Sequence, residues 1–406
     1  MLAKLSAFAR RWRRLACEIA AVLVALGIFA FMGQKLTHMQ GLMTNDHQPL
    51  FGDFIAFWSA GKIVLSGKAA MVHNPDLIHQ VQLAAIPHLP VVAPWNSPPQ
   101  FLLFATLLGL MSYPVAAAVF LLVCLSAYFA AARKILPDWR ALIFAAALPA
   151  VVFEIGSIQT GIIIAAIYGL SLYWQDRRPI AGGALIGLLT IKPHLAVLWP
   201  FYLALTGRWR MFAAAAASTI VITVAGGLAF GFESYVRFLQ NIAYTQNLIT
   251  GRHVSAATYG SLYGNLLGLG VPNMIAITSH AASALLALTL AFFIVRRGGA
   301  AVAGAAMCAA TTLTSPYLFF YDMTILGVAL AFLGAPRKWW EWPAFVLGWG
   351  AGLSVAVGFY VHLPVAPVAA WAVLLTAGAR VLFTVRPAES EPAPVPEQNS
   401  EPAAAA

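Results

Sequence analysis

The chain has 406 residues, of which 61% are apolar and only 9% are charged. A soluble globular protein is typically about one quarter charged, so this composition excludes an ordinary water-soluble domain and favours a chain whose solvent is largely lipid. The net charge is +10, and the Lys and Arg residues cluster at the ends of apolar runs, which indicates membrane orientation and not nucleic-acid binding as the source of the basic character.

The first predicted element is an apolar helix behind a basic N-terminal segment. Lys4 and four arginines between residues 10 and 14 precede the apolar stretch from Ile19 to Met32. This order resembles a signal peptide, but the apolar stretch continues to a membrane-spanning length and no small-residue cleavage site follows it. We therefore expect a signal-anchor helix with a cytoplasmic N-terminus.

Apolar segments recur along the whole chain and predict an all-α, polytopic bundle, because helices satisfy every backbone polar group inside a bilayer. The candidate membrane segments are residues 19–37, 98–112, 114–132, 141–156, 160–175, 180–191, 194–206, 211–231, 274–295, 300–315, 319–335, 343–361 and 364–385. Two of them, 180–191 and 194–206, are short for a full span. This length favours helices that stop partway and line a cavity.

The basic clusters between these segments predict the orientation of the chain. If they lie in the cytoplasm, both ends of the chain lie on the cytoplasmic side of a bacterial-type plasma membrane. The outside segments are then residues 38–97, the turns around Gln159 and Lys192, residues 232–273, residues 315–322 and the short loop at His362. Both ends on one side require an even number of spans, whereas the segments number thirteen. The conflict falls at residues 98–132, where Tyr113-Pro114 either kinks one long path or ends a re-entrant piece. We expect about twelve spans.

The first outside loop, residues 38–97, contains the first candidates for chemistry. Asp46 and Asp53 lie just beyond the first helix, and three aromatic residues follow Asp53 within five positions. A carboxylate among apolar neighbours at a membrane surface loses solvation, which raises its pKa and suits a general base. The alternative interpretation is a helix cap or a solvated loop acid.

A surface helix is predicted later in the same loop. Asn74, Pro75 and Asp76 supply an N-cap, a proline at the first helical position and an acid in the first turn. Apolar residues at helical spacing then face away from a polar side that includes Gln80 and Gln82. Such a helix lies on the membrane surface, where it either guides a lipid substrate or only covers the bundle.

Two places offer cations on the outer side. Lys192 lies in the apolar stretch GLLTIKPHLAVLWP beside His194, and intramembrane charges are expensive enough to indicate function. A cation there is suited to holding a lipid phosphate; the alternative is a lysine that snorkels to a headgroup. Arg252 and His253 form a second cationic pair in a later outside loop, with a solvated loop as the alternative.

Polar residues also interrupt two apolar segments on the predicted outer side. Gln159 lies in the first interruption, and Tyr317, Tyr321 and Asp322 lie in the second. Hydroxyls and amides commonly join helices in membranes, so each interruption alone is weak evidence for a site. Their convergence on one membrane face with the first-loop acids and the buried lysine is stronger evidence.

The remaining features exclude several kinds of chemistry. Cys17, Cys124 and Cys308 lie at or inside apolar segments, without metal-ligand spacing. The sequence has no Walker motif and no dinucleotide glycine fingerprint, so we expect no metal, no cofactor and no ATP hydrolysis. Residues 387–406 are rich in Pro, Glu and Ala and have no aromatic residue, which predicts a disordered cytoplasmic tail behind a membrane domain at residues 1–386.

The order of these features resembles glycosyltransferase family 87, whose members depend on polyprenyl-phosphate-mannose and have the GT-C membrane fold. The stretches that carry the resemblance are GDFIAFWSAGKIVLSGKAAMVHNP, WNSPPQFLLFATLLGLMSYP, GSIQTGIIIAAIYGLSLYWQDRRPIAGGALIGLLTIKPHLAVLWP and TSPYLFFYD. In the family, the proline of the last motif is often followed by His. Here Tyr317 stands at that place, which puts a role for an imidazole there in doubt.

The resemblance implies an inverting transferase of GT-C type that moves a hexose, expected to be mannose, from a polyprenyl-phosphate sugar to a lipid or glycan acceptor outside the membrane. The implied general base is Asp53, with Asp46 in reserve. The implied phosphate-binding residues are Lys192, His194, Arg252 and His253. The implied site-lining residues are Gln159, Tyr317, Tyr321 and Asp322.

Two other functions compete with this interpretation. A secondary transporter or lipid flippase would also use a midplane charge, broken helices and outside loops. The absence of evident inverted halves and the long outer loop with acids and a surface helix count against it. A noncatalytic assembly protein is the third hypothesis, and it predicts that replacing Asp53 leaves activity unchanged.

Overall fold

The computed structural model describes residues 2–37, 39–136, 138–250, 258–356 and 363–383. The described residues form helices and connecting loops, with no β-strand among them. The α-helices are α1 (Leu2–Lys35), α2 (Phe54–Leu65), α3 (Pro75–Ala85), α4 (Leu102–Gly109), α5 (Tyr113–Ile135), α6 (Ala141–Ala146), α7 (Pro149–Ser157), α8 (Gly161–Trp174), α9 (Pro179–Gly187), α10 (Pro193–Ala196), α11 (Leu198–Leu205), α12 (Trp209–Phe230), α13 (Glu233–Thr250), α14 (Leu262–Gly268), α15 (Asn273–Arg297), α16 (Ala300–Thr314), α17 (Thr324–Leu333), α18 (Trp342–Gly350) and α19 (Val365–Leu382).

Five helices in the described part of the chain are long and apolar enough to cross a membrane. They are Arg14–Lys35 within α1, together with α5, α12, α15 and α19. Seven shorter apolar helices of 10–17 residues accompany them. The all-helical fold expected from the sequence is therefore confirmed and its apolar helices fit a membrane protein, while a total of about twelve spans stays a prediction. The predicted tail at 387–406 lies outside the described residues.

The region around Tyr113 contains a true break. A short 3₁₀ turn at Pro99–Phe101 leads into α4, which has only eight residues and is too short to span a bilayer. Helix α5 then begins at Tyr113 with Pro114 in its first turn, where a proline costs no hydrogen bond, and runs for 23 residues. Residues 98–132 thus form two separate helices and not one kinked path.

The first outer region is more buried than its polar pattern predicts. Helix α2 buries nine of its twelve residues and packs against α4. The predicted start of α3 is confirmed, since the Asn74 side chain accepts a hydrogen bond from the Leu77 N–H at 2.9 Å. Gln82, however, is fully buried and does not lie on a polar face. Its side chain donates to the Ala93 carbonyl at 2.6 Å and accepts from the Ala93 N–H at 3.0 Å. These two hydrogen bonds hold the backbone at Ala93 against α3.

Helix α16 lies at the centre of the larger core. Its residues 303–313 are all buried, and it packs against α15, α17 and α19. A helix that is apolar around its whole circumference can only be stable when other helices enclose it. The polar residues of interest therefore lie where helices around this core end, at the joints α7–α8, α9–α10 and α16–α17.

Candidate active site

Asp53 occupies the N-cap position of α2 but does not act as a cap. Its side chain makes no capping hydrogen bond to the helix. Instead, its Oδ2 accepts a hydrogen bond from Nε2 of Gln159 at 2.8 Å. The side chain keeps a solvent-exposed surface. The structure thus disfavours the helix-cap interpretation and places the carboxylate beside another of the predicted site residues.

The loops that carry Asp53 and Gln159 are pressed against each other in unusual backbone conformations. Ile158, just before Gln159, has φ +39° and is only 1% exposed. A β-branched residue rarely adopts this left-handed conformation, and its cost must be offset by the surrounding packing. On the other side, Gly52 has φ +53°, and a Cβ there would lie 2.9 Å from the Ser157 Cα. Only glycine fits this approach.

Lys192 lies between a 3₁₀ turn at Leu188–Ile191 and the proline that starts α10. Its Nζ is 2.8 Å from Oδ1 of Asp322 and 4.5 Å from the ring centroid of Tyr321. The other Asp322 oxygen accepts the N–H of Phe319 at 3.1 Å. The lysine side chain is 16% exposed and the aspartate is fully buried. A paired, mostly buried ammonium does not fit the snorkelling interpretation.

The two acids of the first loop have opposite electrostatic surroundings. Loss of solvation raises the pKa of Asp53, and the Gln159 hydrogen bond and the Lys192 charge offset only part of this effect. Partial burial also raises the pKa of Asp46, but hydrogen bonds from Lys35 and Thr44 and the Lys35 charge outweigh it, so the pKa falls below its ordinary value. Asp53 is therefore the stronger base of the two.

The charges of Asp53, Lys192 and Asp322 act on neighbouring groups of one site. The Lys192 ammonium interacts electrostatically with the Asp53 carboxyl group. The carboxyl groups of Asp53 and Asp322 both interact electrostatically with the Tyr321 hydroxyl. The structure thus brings Asp53, Gln159, Lys192, Tyr321 and Asp322 into one cluster. This arrangement combines a proton acceptor with a cation at the same site, which suits attack by a hydroxyl and departure of an anion.

The other predicted site residues lie in different surroundings. His194 is next to the cluster, and its Nε2 is buried without a hydrogen-bond partner among the described residues. Tyr317 packs edge to face on Tyr263 of α14, with ring centroids 6.3 Å apart. Arg252 and His253 lie outside the described residues, so their predicted roles are untested.

Glu154 is a buried acid of the site that was not among the predicted site residues. It is fully buried, and its Oε1 accepts the Ile162 N–H at 2.9 Å, which serves the first turn of α8. The charges of Lys192 and Asp322 act on its carboxyl group. A sequence signal did exist, because an acid inside an apolar helix indicates function by default.

A second contact between distant segments attaches α13 to the first outer loop. Nδ2 of Asn241 donates to the Trp95 carbonyl at 3.3 Å and to Oδ1 of Asn96 at 3.2 Å. Nδ1 of His73 lies 3.1 Å from the same carbonyl. No sequence pattern could have joined these residues, because about 145 positions separate Asn241 from its partners.

Comparison of the sequence with models of known protein families identifies the family of this chain. Residues 95–316, more than half of the chain, match the model of glycosyltransferase family 87. The chain belongs to glycosyltransferase family 87. No curated protein and no solved structure matches it significantly. Gln159 and Lys192 lie inside the matched residues, whereas Asp53, Tyr321 and Asp322 lie outside them. The family match therefore gives no support to these three residues, which lie beside the matched ones through the contacts described above.

Proposed function

We propose that this family 87 glycosyltransferase transfers a hexose, with mannose as the expected sugar, from a polyprenyl-phosphate donor to a lipid or glycan acceptor at the outer face of the plasma membrane. The observation that carries the proposal is one cluster that contains both the Asp53 carboxylate, hydrogen-bonded to Gln159, and the Lys192 ammonium, paired with Asp322. A base and a cation are the two groups that such a transfer requires.

In the proposed reaction, a carboxylate oxygen of Asp53 takes the proton of the acceptor hydroxyl while the hydroxyl oxygen attacks the anomeric carbon. The bond between that carbon and the phosphate oxygen breaks, and the lipid phosphate leaves with the bonding electron pair. Attack from the face opposite the leaving group inverts the anomeric configuration. The proton then passes from Asp53 to the solvent, to which the side chain is exposed.

Charge accounts for the role of Lys192. The donor phosphate carries one negative charge as a diester and gains a second as it leaves, so a nearby cation stabilises the transition state more than the ground state. Lys192 donates one N–H to Asp322, and an ammonium group has three. Two donors therefore stay available for phosphate oxygens, while Asp322 and the Tyr321 ring fix the direction of the side chain.

The outer-face location is supported by the distribution of basic residues, which cluster at the opposite ends of the apolar segments. It is also supported by α3, an 11-residue helix that begins at Pro75 and has exposed polar residues such as Asp76 and Gln80. A donor with a long hydrocarbon chain reaches a site at the membrane surface without leaving the bilayer. A nucleotide sugar is water-soluble and does not require a site at the membrane surface.

The direct test incubates purified full-length chain with polyprenyl-phosphate-mannose and a membrane lipid extract, and then follows both by mass spectrometry. We expect one acceptor to gain the mass of a hexose while polyprenyl phosphate is released. Transfer from a nucleotide sugar alone would contradict the donor assignment. Movement of lipid across proteoliposome membranes without any change in mass would instead establish the transporter hypothesis.

A further inference from the structure

The N-terminal ends of α9 and α12, which carry Arg178 and Arg210, form a shallow groove that has no part in the proposed transfer. The two helices run parallel: Gly183 of α9 lies against the backbone of Met211, and the Ser218 hydroxyl of α12 donates to the Ala184 carbonyl at 2.8 Å. Gly183 permits this approach, because a Cβ there would overlap the Met211 carbonyl. Parallel packing brings the first residues of both helices to the same membrane face.

The groove has a cavity of about 510 Å³ between these helix ends. Its lining residues are Arg178, Pro179, Ile180, Ala181, Ala184 and Arg210. The lining therefore consists of two arginines, one from each helix end, and an apolar floor of the other four residues. Ile180 is 69% exposed and Trp209, beside the groove, is 62% exposed. Exposed apolar side chains next to a spanning helix indicate contact with lipid.

The arginines of this corner divide into two kinds. Arg208 pairs with Asp176 at 3.0 Å, and Arg177 donates to the Tyr173 carbonyl and stacks on its ring at 4.4 Å. Arg178 and Arg210 have no ion pair or hydrogen bond from their side chains among the described residues. The two guanidinium groups that lack partners are thus the two that face the groove.

We propose that this groove binds one anionic phospholipid of the leaflet on the arginine side. Guanidinium groups bind phosphate oxygens through paired, charge-assisted hydrogen bonds, and two of them at the mouth of an apolar groove fit a phosphodiester whose acyl chains run along α9 and α12. Basic grooves between membrane helices recognise lipid headgroups in this way. A soluble anion would make no use of the apolar floor.

The test uses full-length protein in nanodiscs of phosphatidylcholine with or without phosphatidylglycerol, and native mass spectrometry counts the lipids that stay bound. We expect one phosphatidylglycerol to be retained in preference to phosphatidylcholine. Arg178→Gln and Arg210→Gln should each weaken its binding by about tenfold, since each removes a charge-assisted hydrogen bond. The matched control is the double variant Arg296→Gln/Arg297→Gln, which removes two exposed charges at the end of α15 that do not line the groove.

Equal loss of phosphatidylglycerol in the groove variants and the control would overturn the proposal, because it would show attraction to surface charge in general. Retention of inorganic phosphate as strongly as the lipid would also overturn it. Thermal unfolding in phosphatidylcholine alone should be unchanged in all variants, since the substituted side chains are exposed. If one groove variant unfolds, the other carries the test, because each arginine is expected to contribute separately.

Discussion

At the scale of single residues, the structure distinguishes Asp53 from Asp46, the two aspartates that the sequence presents as candidates for the general base. Asp46 is held in an ion pair with Lys35 at 2.8 Å, whereas Asp53 has only a neutral amide as its direct partner. An ion-paired carboxylate is a weak base, since its anionic form is already stabilised. The choice between the two acids therefore depends on neighbours that lie up to 106 positions away in the chain.

The first prediction compares these two acids directly. Asp53→Asn keeps the size and a hydrogen-bonding group but cannot accept a proton, so transfer should fall by about two orders of magnitude. Retention of the radiolabelled donor should be unchanged, which separates a chemical defect from a folding defect. Asp46→Asn is the matched control and should keep most of the activity. Normal transfer by the Asp53 variant would overturn the assignment of the base.

The second prediction concerns the amide that holds the base. Asp53 must be ionised to act, so transfer should decline as the pH falls through its raised pKa. The Gln159 hydrogen bond favours the ionised form, and Gln159→Leu should therefore raise this pKa further and move the acid limb of the kcat profile to higher pH. Lys192 and Tyr321 stay in place as the charged and titratable neighbours.

The control for this variant is Gln80→Leu, an exposed glutamine on α3 for which we expect an unchanged pH profile. If Gln159→Leu lowers kcat without moving the acid limb, the amide supports the fold of the loop and not the ionisation of Asp53.

At the scale of elements, the site is built from helix ends, and sequence reasoning succeeds there only in part. Proline and polar residues predicted the breaks near Gln159 and Lys192, because they interrupt apolar runs. The left-handed backbone of Ile158 could not be predicted, since isoleucine disfavours it and only the surrounding packing imposes it. Gln82 was placed on the wrong face because periodicity does not reveal a buried polar partner.

The third prediction tests whether the close approach of the two loops is required. Gly52→Ala would place a Cβ 2.9 Å from the Ser157 Cα, and the loop must move to admit it. We expect lower thermal stability and a loss of transfer of roughly tenfold or more, since small misplacements of catalytic groups are costly. Gly41→Ala is the matched control: it has a similar φ of +62° but nothing within 4 Å of the added Cβ.

Both variants carry the backbone strain of alanine at positive φ, so their difference isolates the contact with Ser157. Equal activity in the two variants would show that the approach of the loops does not position Asp53.

At the scale of the whole molecule, composition predicted the helical membrane bundle but not its number of spans. Apolar runs reveal helices, whereas the described structure breaks several of them into pieces too short to cross a bilayer alone. Family membership was predicted from dispersed motifs and is confirmed over residues 95–316. The convergence of the site residues was also predicted, but the contacts that join them, Asp53 with Gln159 and Lys192 with Asp322, required three-dimensional information.

The fourth prediction concerns membrane orientation. Ser66→Cys lies in an exposed turn after α2, and Ala300→Cys lies in the exposed first turn of α16, beside the arginines that end α15. In a chain whose half-buried Cys17 is replaced by Ala, a membrane-impermeant maleimide should label residue 66 from outside and residue 300 only from inside. The reverse pattern would overturn the outer-face location of the site.

The ion pair between Lys192 and Asp322 also sets an order of events during biosynthesis. The two residues are 130 positions apart, so a ribosome that adds about five to twenty residues per second makes the lysine roughly 7 to 26 seconds before its partner. During that interval an uncompensated ammonium resists burial in lipid. We expect a cysteine introduced beside Lys192 to react with a membrane-impermeant maleimide in nascent chains that end before residue 322, and to become protected in longer chains. The ion pair between Lys192 and Asp322 can thus form only after residue 322 has been made.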